Sequence, residues 1–406
     1  MSDLEPLYPV SRRHLETLTD ATGIMQHAVG RRPNPEYGYC TDDVSRSLTV
    51  DLLHRRELGW AAVSASAWRS CRFLVDAFED STGRFRNVRA IDGTWLDTPG
   101  SEDAHARAVL ALAESMVDTP DGRFREAASA LFARALPATL ELRALRPRSS
   151  ALLACDAALH AGGTGEIVEA YRRLAVGLGE AFEAQALTAG WPWPEFVLTY
   201  ENAIVARAMI TGGTRLGAAE MVRLGCRVLD WLIEVETASD GHLTTIGNNG
   251  WWPRDGVRAR FDQQPIEATA LLLAAEVAWE ATHADRYRRA AEAAYAWFLG
   301  RNDLGLAIAD PLEGGCRDGL TSAGVNHNQG AESTLMWLTA LEHVRGMRGR
   351  VGNRSVTGMS QLLHRAADNP IVRERSTLPA PTVRPPRVGE PHRSPIGDLA
   401  FTLLGS

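Results

Sequence analysis

The chain repeats one unit six times, and that repetition limits its possible folds more than any single motif does. An amphipathic helical stretch, a polar loop and a helical stretch rich in small and apolar residues recur about every 50 to 65 residues. The first members fall near 14–28, 62–78, 124–142, 166–185, 217–236 and 285–300, and their charged residues, such as Arg286 and Arg289, share one face. The second members begin near Asp43, Asp103, Ser149, Thr199, Gln264 and Gln329 and carry runs such as Ala268 to Ala275. A helix that is apolar nearly all round must be covered on every side. Six such helices lining a ring, wrapped by six amphipathic ones, meet that requirement. The pattern therefore predicts an all-α (α/α)6 toroid of six helical hairpins over residues 1–346. A Pro- and Arg-rich linker or extended tail over 347–406 breaks the helical pattern.

Composition narrows the function. With 406 residues, 45% hydrophobic and 23% charged, the chain can bury a large core. A net charge of -7 and the lack of a basic run in the first 340 residues argue against a nucleic-acid partner. The sequence has no Lys, which reads as coding bias rather than function. Five scattered cysteines form no C-x-x-C pair, so neither a disulfide framework nor a zinc site is signalled; the expectation is a reducing compartment with no metal and no cofactor. Asp3 and Glu5 stand where a signal peptide needs positive charge, and no stretch approaches 18 apolar residues. The expectation is a cytoplasmic protein without a membrane partner, its oligomeric state left open.

Polar residues mark the starts of the inner helices. Five of the six are preceded by dense clusters: Cys40-Thr41-Asp42-Asp43, Ser101-Glu102-Asp103-Ala104-His105, Leu198-Thr199-Tyr200-Glu201-Asn202, Asp262-Gln263-Gln264 and Asn326-His327-Asn328-Gln329. Any one cluster can be an N-cap, but capping uses one such side chain, rarely three or four. In a closed ring all inner N-termini point to one end, so the clusters converge on one mouth, where helix dipoles favour carboxylates. The loops into these helices also carry Tyr37, Tyr39, Trp95, Trp191, Trp193, Trp251 and Trp252. Flat sugar faces stack on such rings, and sugar hydroxyls need planar polar partners, so the mouth is expected to bind an oligosaccharide or sugar. Ile246 to Arg254, with Arg258 and Arg260 beyond it, and Gly314 to Gly319 are expected to be wall loops. The latter lacks a Walker lysine.

Four segments carry a family resemblance: Gly38-Tyr39-Cys40-Thr41-Asp42-Asp43, Trp191-Pro192-Trp193, Arg260 to Glu267, and Asn328 to Thr334. They look like a bacterial six-hairpin toroid family related to six-hairpin glycosidases. Its members often carry a glycosyltransferase label because a transferase domain can be fused upstream. Residues 10–346 show no strand-helix alternation or nucleotide-binding glycine loop, so the resemblance implies sugar binding rather than glycosyl transfer. Glu201 stands where the family has Asp after Tyr200. Leu363 to Val372 is similar to the opening of the mannoside phosphorylase family, which hints at mannoside metabolism.

Glycoside hydrolysis needs two carboxyl groups facing across the scissile bond. Asp43 and Asp262, from different sides of the ring, are the expected acid/base pair, with Asp103 and Glu332 as further catalytic candidates. Tyr39, Asp42, His105, Trp191, Trp193, Glu201, Trp251, Trp252, Arg260, Gln263, Gln264, Glu267, His327, Asn328 and Gln329 are the expected substrate contacts. Glu267 and Glu332 could instead be buried salt-bridge partners of Arg46 or Arg107. Two alternatives remain: a sugar epimerase moving a proton with His105 and His327, or a glycan-binding module without turnover.

Overall fold

The computed structural model describes residues 4–117, 119–183 and 190–356. Its helices are α1 (Arg13–Leu18), α2 (Thr41–Leu58), α3 (Trp60–Ala77), α4 (Glu102–Val117), α5 (Gly122–Thr139), α6 (Leu145–His160), α7 (Glu166–Glu183), α8 (Ala203–Leu216), α9 (Ala219–Val235), α10 (Pro265–Thr282), α11 (Asp285–Phe298) and α12 (Ala331–Val356). The even-numbered helices pack side by side in chain order, and α12 returns to α2 and closes the ring. Each odd-numbered helix from α3 to α11 covers the outside of the inner helix before it. This is the (α/α)6 toroid that the periodicity implies. In α10, buried residues run from Pro265 through Ala268, Leu271 and Ala275 to Trp279, so it has no broad solvent face.

The two ends of the ring differ. Turns from an inner helix to the next outer one are short: Gly59 joins α2 to α3, and Gly217-Ala218 joins α8 to α9. Gly59 and Gly217, at φ +81 and +67, adopt backbone that other residues seldom do. Returns at the other end span 78–101, 236–264 and 299–330 and contain short antiparallel strand pairs. The inner N-termini therefore open under the long loops, and that end is the mouth.

Three departures from the sequence pattern bear on the site. The first outer helix stops at Leu18 instead of running to 28, because Asp20 Oδ1 accepts the N–H groups of Thr22 (2.8 Å) and Gly23 (3.1 Å) in a tight turn. Strands β1 (Met25–Val29) and β2 (Arg32–Cys40) then pair antiparallel about Gly30-Arg31, which sets Gln26 and His27 at the mouth. α6 begins at Leu145 and α8 at Ala203, four residues from the expected Ser149 and Thr199; before α8, Glu201 at φ +48 is incompatible with a helical start. The expected boundary at 346 falls inside α12, which continues to Val356 because Arg345 and Arg348 donate to the carbonyls of Tyr8 (2.6 Å) and Glu5 (2.8 Å) and fasten it to the N-terminal segment. Leu363 to Val372 lies outside the described residues.

Candidate active site

At the mouth lies a cavity of 420 Å³ with a mainly polar lining. α2 contributes Asp42, Asp43 and Arg46, α12 contributes Glu332 and Ser333, and the approach to α10 contributes Asp262, Gln263 and Gln264. β1 adds Gln26 and His27, while connecting loops add Asn87, Asn248, Asp318 and Asn326. Cys40 caps α2, its sulfur accepting the Asp43 N–H. Asp318 Oδ1 accepts the Gly330 N–H (2.8 Å) and so holds the start of α12 against the loop. Among the described residues no group of three His, Cys, Asp or Glu side chains converges to hold a metal ion.

Two buried arginines organise the acids. Arg46 reaches Asp43 Oδ1 at 3.0 Å, Asp42 Oδ2 at 3.2 Å and Glu332 Oε2 at 2.9 Å. Arg107 meets Asp42 Oδ1 at 2.6 Å through Nε and donates from Nη1 to Glu201 Oε1 at 3.1 Å. It also lies 4.0 Å from Asp103, whose Oδ2 accepts the Tyr200 hydroxyl at 2.7 Å. Asp42 is thus shared by both guanidiniums. Five carboxylates from α2, α4, the start of α8 and α12 lean on two cations, so the mouth keeps an acidic surplus.

That surplus and burial bear most on Asp43. Its residue is 3% exposed, and loss of hydration pushes the carboxyl up to about 7, with Arg46 opposing and the charges of Glu332 and Asp42 adding. The Cys40 thiol donates to its Oδ2 at 3.1 Å. Asp103 is also raised, chiefly by burial and against the pull of Arg107. Asp262 lines the same cavity at φ +59, half-buried, and has no ion-pair partner among the described residues. One carboxyl that can hold a proton near neutrality and one unpaired carboxylate therefore border the same space.

Other residues singled out in the sequence lie elsewhere. Tyr39 is buried, its hydroxyl donating to Asp20. His105 is fully buried with its ring 5.6 Å from Phe85, and burial lowers its pKa to about 3, so it is neutral. It faces the hydrophobic layer instead of the mouth because it occupies the outward side of the first turn of α4. His327 is exposed outside the cavity. Asn328 Oδ1 accepts the Gly30 N–H (3.0 Å), and the Gln329 N–H donates to the Gly30 carbonyl (2.9 Å), so both tie the β1–β2 hairpin to the start of α12. Trp191 packs edge-on against Trp231 (5.4 Å) and Trp252 (5.3 Å), and the Trp193 indole donates to Glu195 (3.2 Å). These rings plug the loops among themselves. Trp251 sits near Tyr200, 6.4 Å away, and Arg260 is exposed against Asp303 at 3.1 Å. Gln263 borders the cavity, but its amide is occupied by Asp303 (2.6 Å) and Trp297 (3.1 Å). Glu201 is held by Arg107, and Glu267, also buried, accepts the Glu201 N–H at 2.8 Å. Glu332 has the Arg46 partner that the salt-bridge alternative assigned to it; Glu267 does not.

Behind the site a pair of buried acids gives a pH signature. Glu236 is 3% exposed, and burial pushes it up to about 7 with Arg258 opposing; burial and the Glu236 charge push Glu267 well up. A raised acid contributes stability that is complete below its unfolded pKa and is lost as pH rises through the folded one. Glu236→Gln should therefore gain on the wild type between pH 5 and pH 8, by on the order of 1–3 kcal/mol. Thermal melts of both proteins across that range check this. A gap that stays constant with pH contradicts it.

No protein-family model matches the sequence, and no curated protein matches it. Solved structures do. The chain is similar to a cellobiose 2-epimerase from Spirochaeta thermophila (TM-score 0.63, 15% identity, 82% of this chain and 92% of that one) and to a D-mannose isomerase (0.64, 10%, 83% and 96%). It is also similar to an α-mannanase from Bacteroides thetaiotaomicron (0.55, 9%, 78% and 88%). At these identities the likeness shows the fold, a six-hairpin toroid.

Proposed function

We propose that the chain is a carbohydrate-active enzyme of the glycoside-hydrolase type, with Asp43 as proton donor and Asp262 as the opposing carboxylate. The observation that carries this reading is Asp43 itself, a buried carboxyl raised to about 7 on the wall of a polar cavity that Asp262 shares. An acid does its work best when its pKa lies near the working pH. Protonated Asp43 would deliver its proton to the glycosidic oxygen while Asp262 activates water or attacks the anomeric carbon. Gln264, Asn248 and Asn326 offer amides to sugar hydroxyls. At the rim, His27 and Tyr37 form an edge-to-face pair at 4.6 Å, with Tyr37 51% exposed, a surface suited to the apolar side of a sugar. Asp42, Asp103, Glu201 and Glu332 hold the two arginines in register.

The fold hosts both cleavage and isomerisation, since its relatives include a mannanase, an epimerase and an isomerase. Proton exchange by two histidines needs both in the cavity, and His105 and His327 do not border it. The hydrolytic reading uses groups that do. The thiols are free, and no helix among the described residues is long and apolar enough to cross a membrane. Residues 1–346, together with the remainder of α12 to Val356, would form the working domain.

The test is incubation with manno-, gluco- and galacto-oligosaccharides, with and without phosphate, followed by chromatography. Shorter sugars that disappear with Asp262→Asn support the proposal. A new isomer without cleavage would transfer the site to epimerisation, and saturable binding with no product would leave a glycan-binding module.

A further inference from the structure

Away from the mouth, the C-terminal halves of α4, α6 and α10 and the stretch of α8 from Arg207 to Arg215 line a second, open cavity of 670 Å³. Its apolar walls include Leu110, Leu153 and Val277, and its charged residues fall into two groups. At the rim the charges are already matched: Arg215 pairs with Asp156, and Glu280 lies 3.2 Å from Arg350. Deeper in, Glu114 and Arg207 are not. The Arg207 Nε is buried without an acceptor, and neither side chain makes an ion pair among the described residues. Glu114 receives a single hydrogen bond, from the Thr49 hydroxyl at 2.6 Å. Both also border a smaller interior chamber of 80 Å³, which places them together where the two spaces meet.

A cation and an anion that share a largely apolar lining without pairing form a dipolar receptor, because apolar walls strengthen the pull of each on an opposite charge. Their complement is a molecule that carries both charges at one end. We propose that this cavity binds a small zwitterion with an apolar body, of amino-acid class, its carboxylate on Arg207, its ammonium on Glu114 and its side chain against Leu110, Leu153 and Val277. Guanidinium and carboxylate make the stronger, charge-assisted contact, so Arg207 dominates affinity and Glu114 selects the ammonium. The cavity volume leaves room for a branched or aromatic side chain. Nothing in this assignment depends on sugar chemistry at the mouth.

Calorimetric titration of the full chain with L-leucine and L-phenylalanine, against leucinamide and N-acetyl-L-leucine, tests it. The expected result is saturable binding of both amino acids, weakened about tenfold or more in each single-charge analogue. Arg207→Met should remove leucine binding, and Glu114→Gln should weaken it by about tenfold. Should Arg207→Met fail to fold, Ala157→Trp, which fills the cavity from α6, is expected to remove binding with the wild-type circular dichroism retained. Absence of binding by either amino acid, equal binding of the analogues, or undiminished binding by the folded variants would overturn the proposal. Because the readout is leucine heat and not sugar product, its failure leaves the mouth reading standing, and the reverse also holds.

Discussion

Asp43→Asn is expected to lower sugar turnover by about 10²–10⁴-fold, the usual contribution of a positioned acid, while the melting temperature stays close to that of the wild type. Asn keeps the shape of Asp43 and an oxygen for Arg46, so the contact at 3.0 Å can persist. What it lacks is a proton to give. Because burial raises Asp43 to about 7, the wild-type rate should also fall on the alkaline side, as the carboxyl ionises, with a limb near neutral pH. Rate measurements on the responsive sugar from pH 5 to 9, with melts of both proteins, check this. Retention of full turnover by the folded variant would remove Asp43 from the chemistry.

Arg107→Met is expected to cost roughly 3–5 kcal/mol of stability, because it strands Glu201 and Asp103 in a partly dehydrated cluster without their cation and leaves Asp42 to Arg46 alone. The Arg107 side chain is only 10% exposed and that of Glu201 11%, so solvent screens the pair little. Loss of such a partner in a domain of this size should lower the melting temperature by roughly ten degrees. Adding Glu201→Gln should restore part of the loss, since it removes one of the abandoned charges. A single variant that melts within a degree or two of the wild type would mean that the cluster tolerates its missing cation, and the acidic surplus would then not be structural.

The ring was legible because its helices repeat a 3.6-residue pattern and its inner helices, such as α10, carry small residues on nearly every face. α1 was read too long because apolar spacing continues past Leu18, although Asp20 and Gly23 already form the turn that ends it. At the site, side chains on or just before the inner helices were visible as polar clusters, and Asp42, Asp43, Asp262, Gln264 and Glu332 border the cavity. His105 belongs to such a cluster yet turns away from the mouth toward Phe85, because composition marks a helix start without giving the direction of each residue. Asn248 belongs to the Ile246 to Arg254 stretch that was expected to wall the site, whereas Asn87 and Gln26 come from a loop and a hairpin with no periodicity, so nothing in the sequence assigned those two to the cavity. The tryptophans carried a sugar-binding signal that the structure spends on mutual packing: large rings fill irregular loops well, and Trp231 and Trp252 stack 5.9 Å apart.

The closure of the ring between α12 and α2 sets an order of events during synthesis. The His14 ring meets the Gln329 carbonyl at 2.9 Å, and Arg345 reaches back to Tyr8, so the first hairpin is joined to the last across nearly the whole chain. A nascent chain on the ribosome therefore has Arg46 beside Asp43 long before Glu332 emerges to complete the trio. Until then the inner faces of α2 and α10 lack the neighbour that covers them. Contacts so distant in sequence form slowly and leave apolar surface open to chaperones and to aggregation. The entrance of this protein is thus the last part to be built, and an incomplete copy has no working version of it.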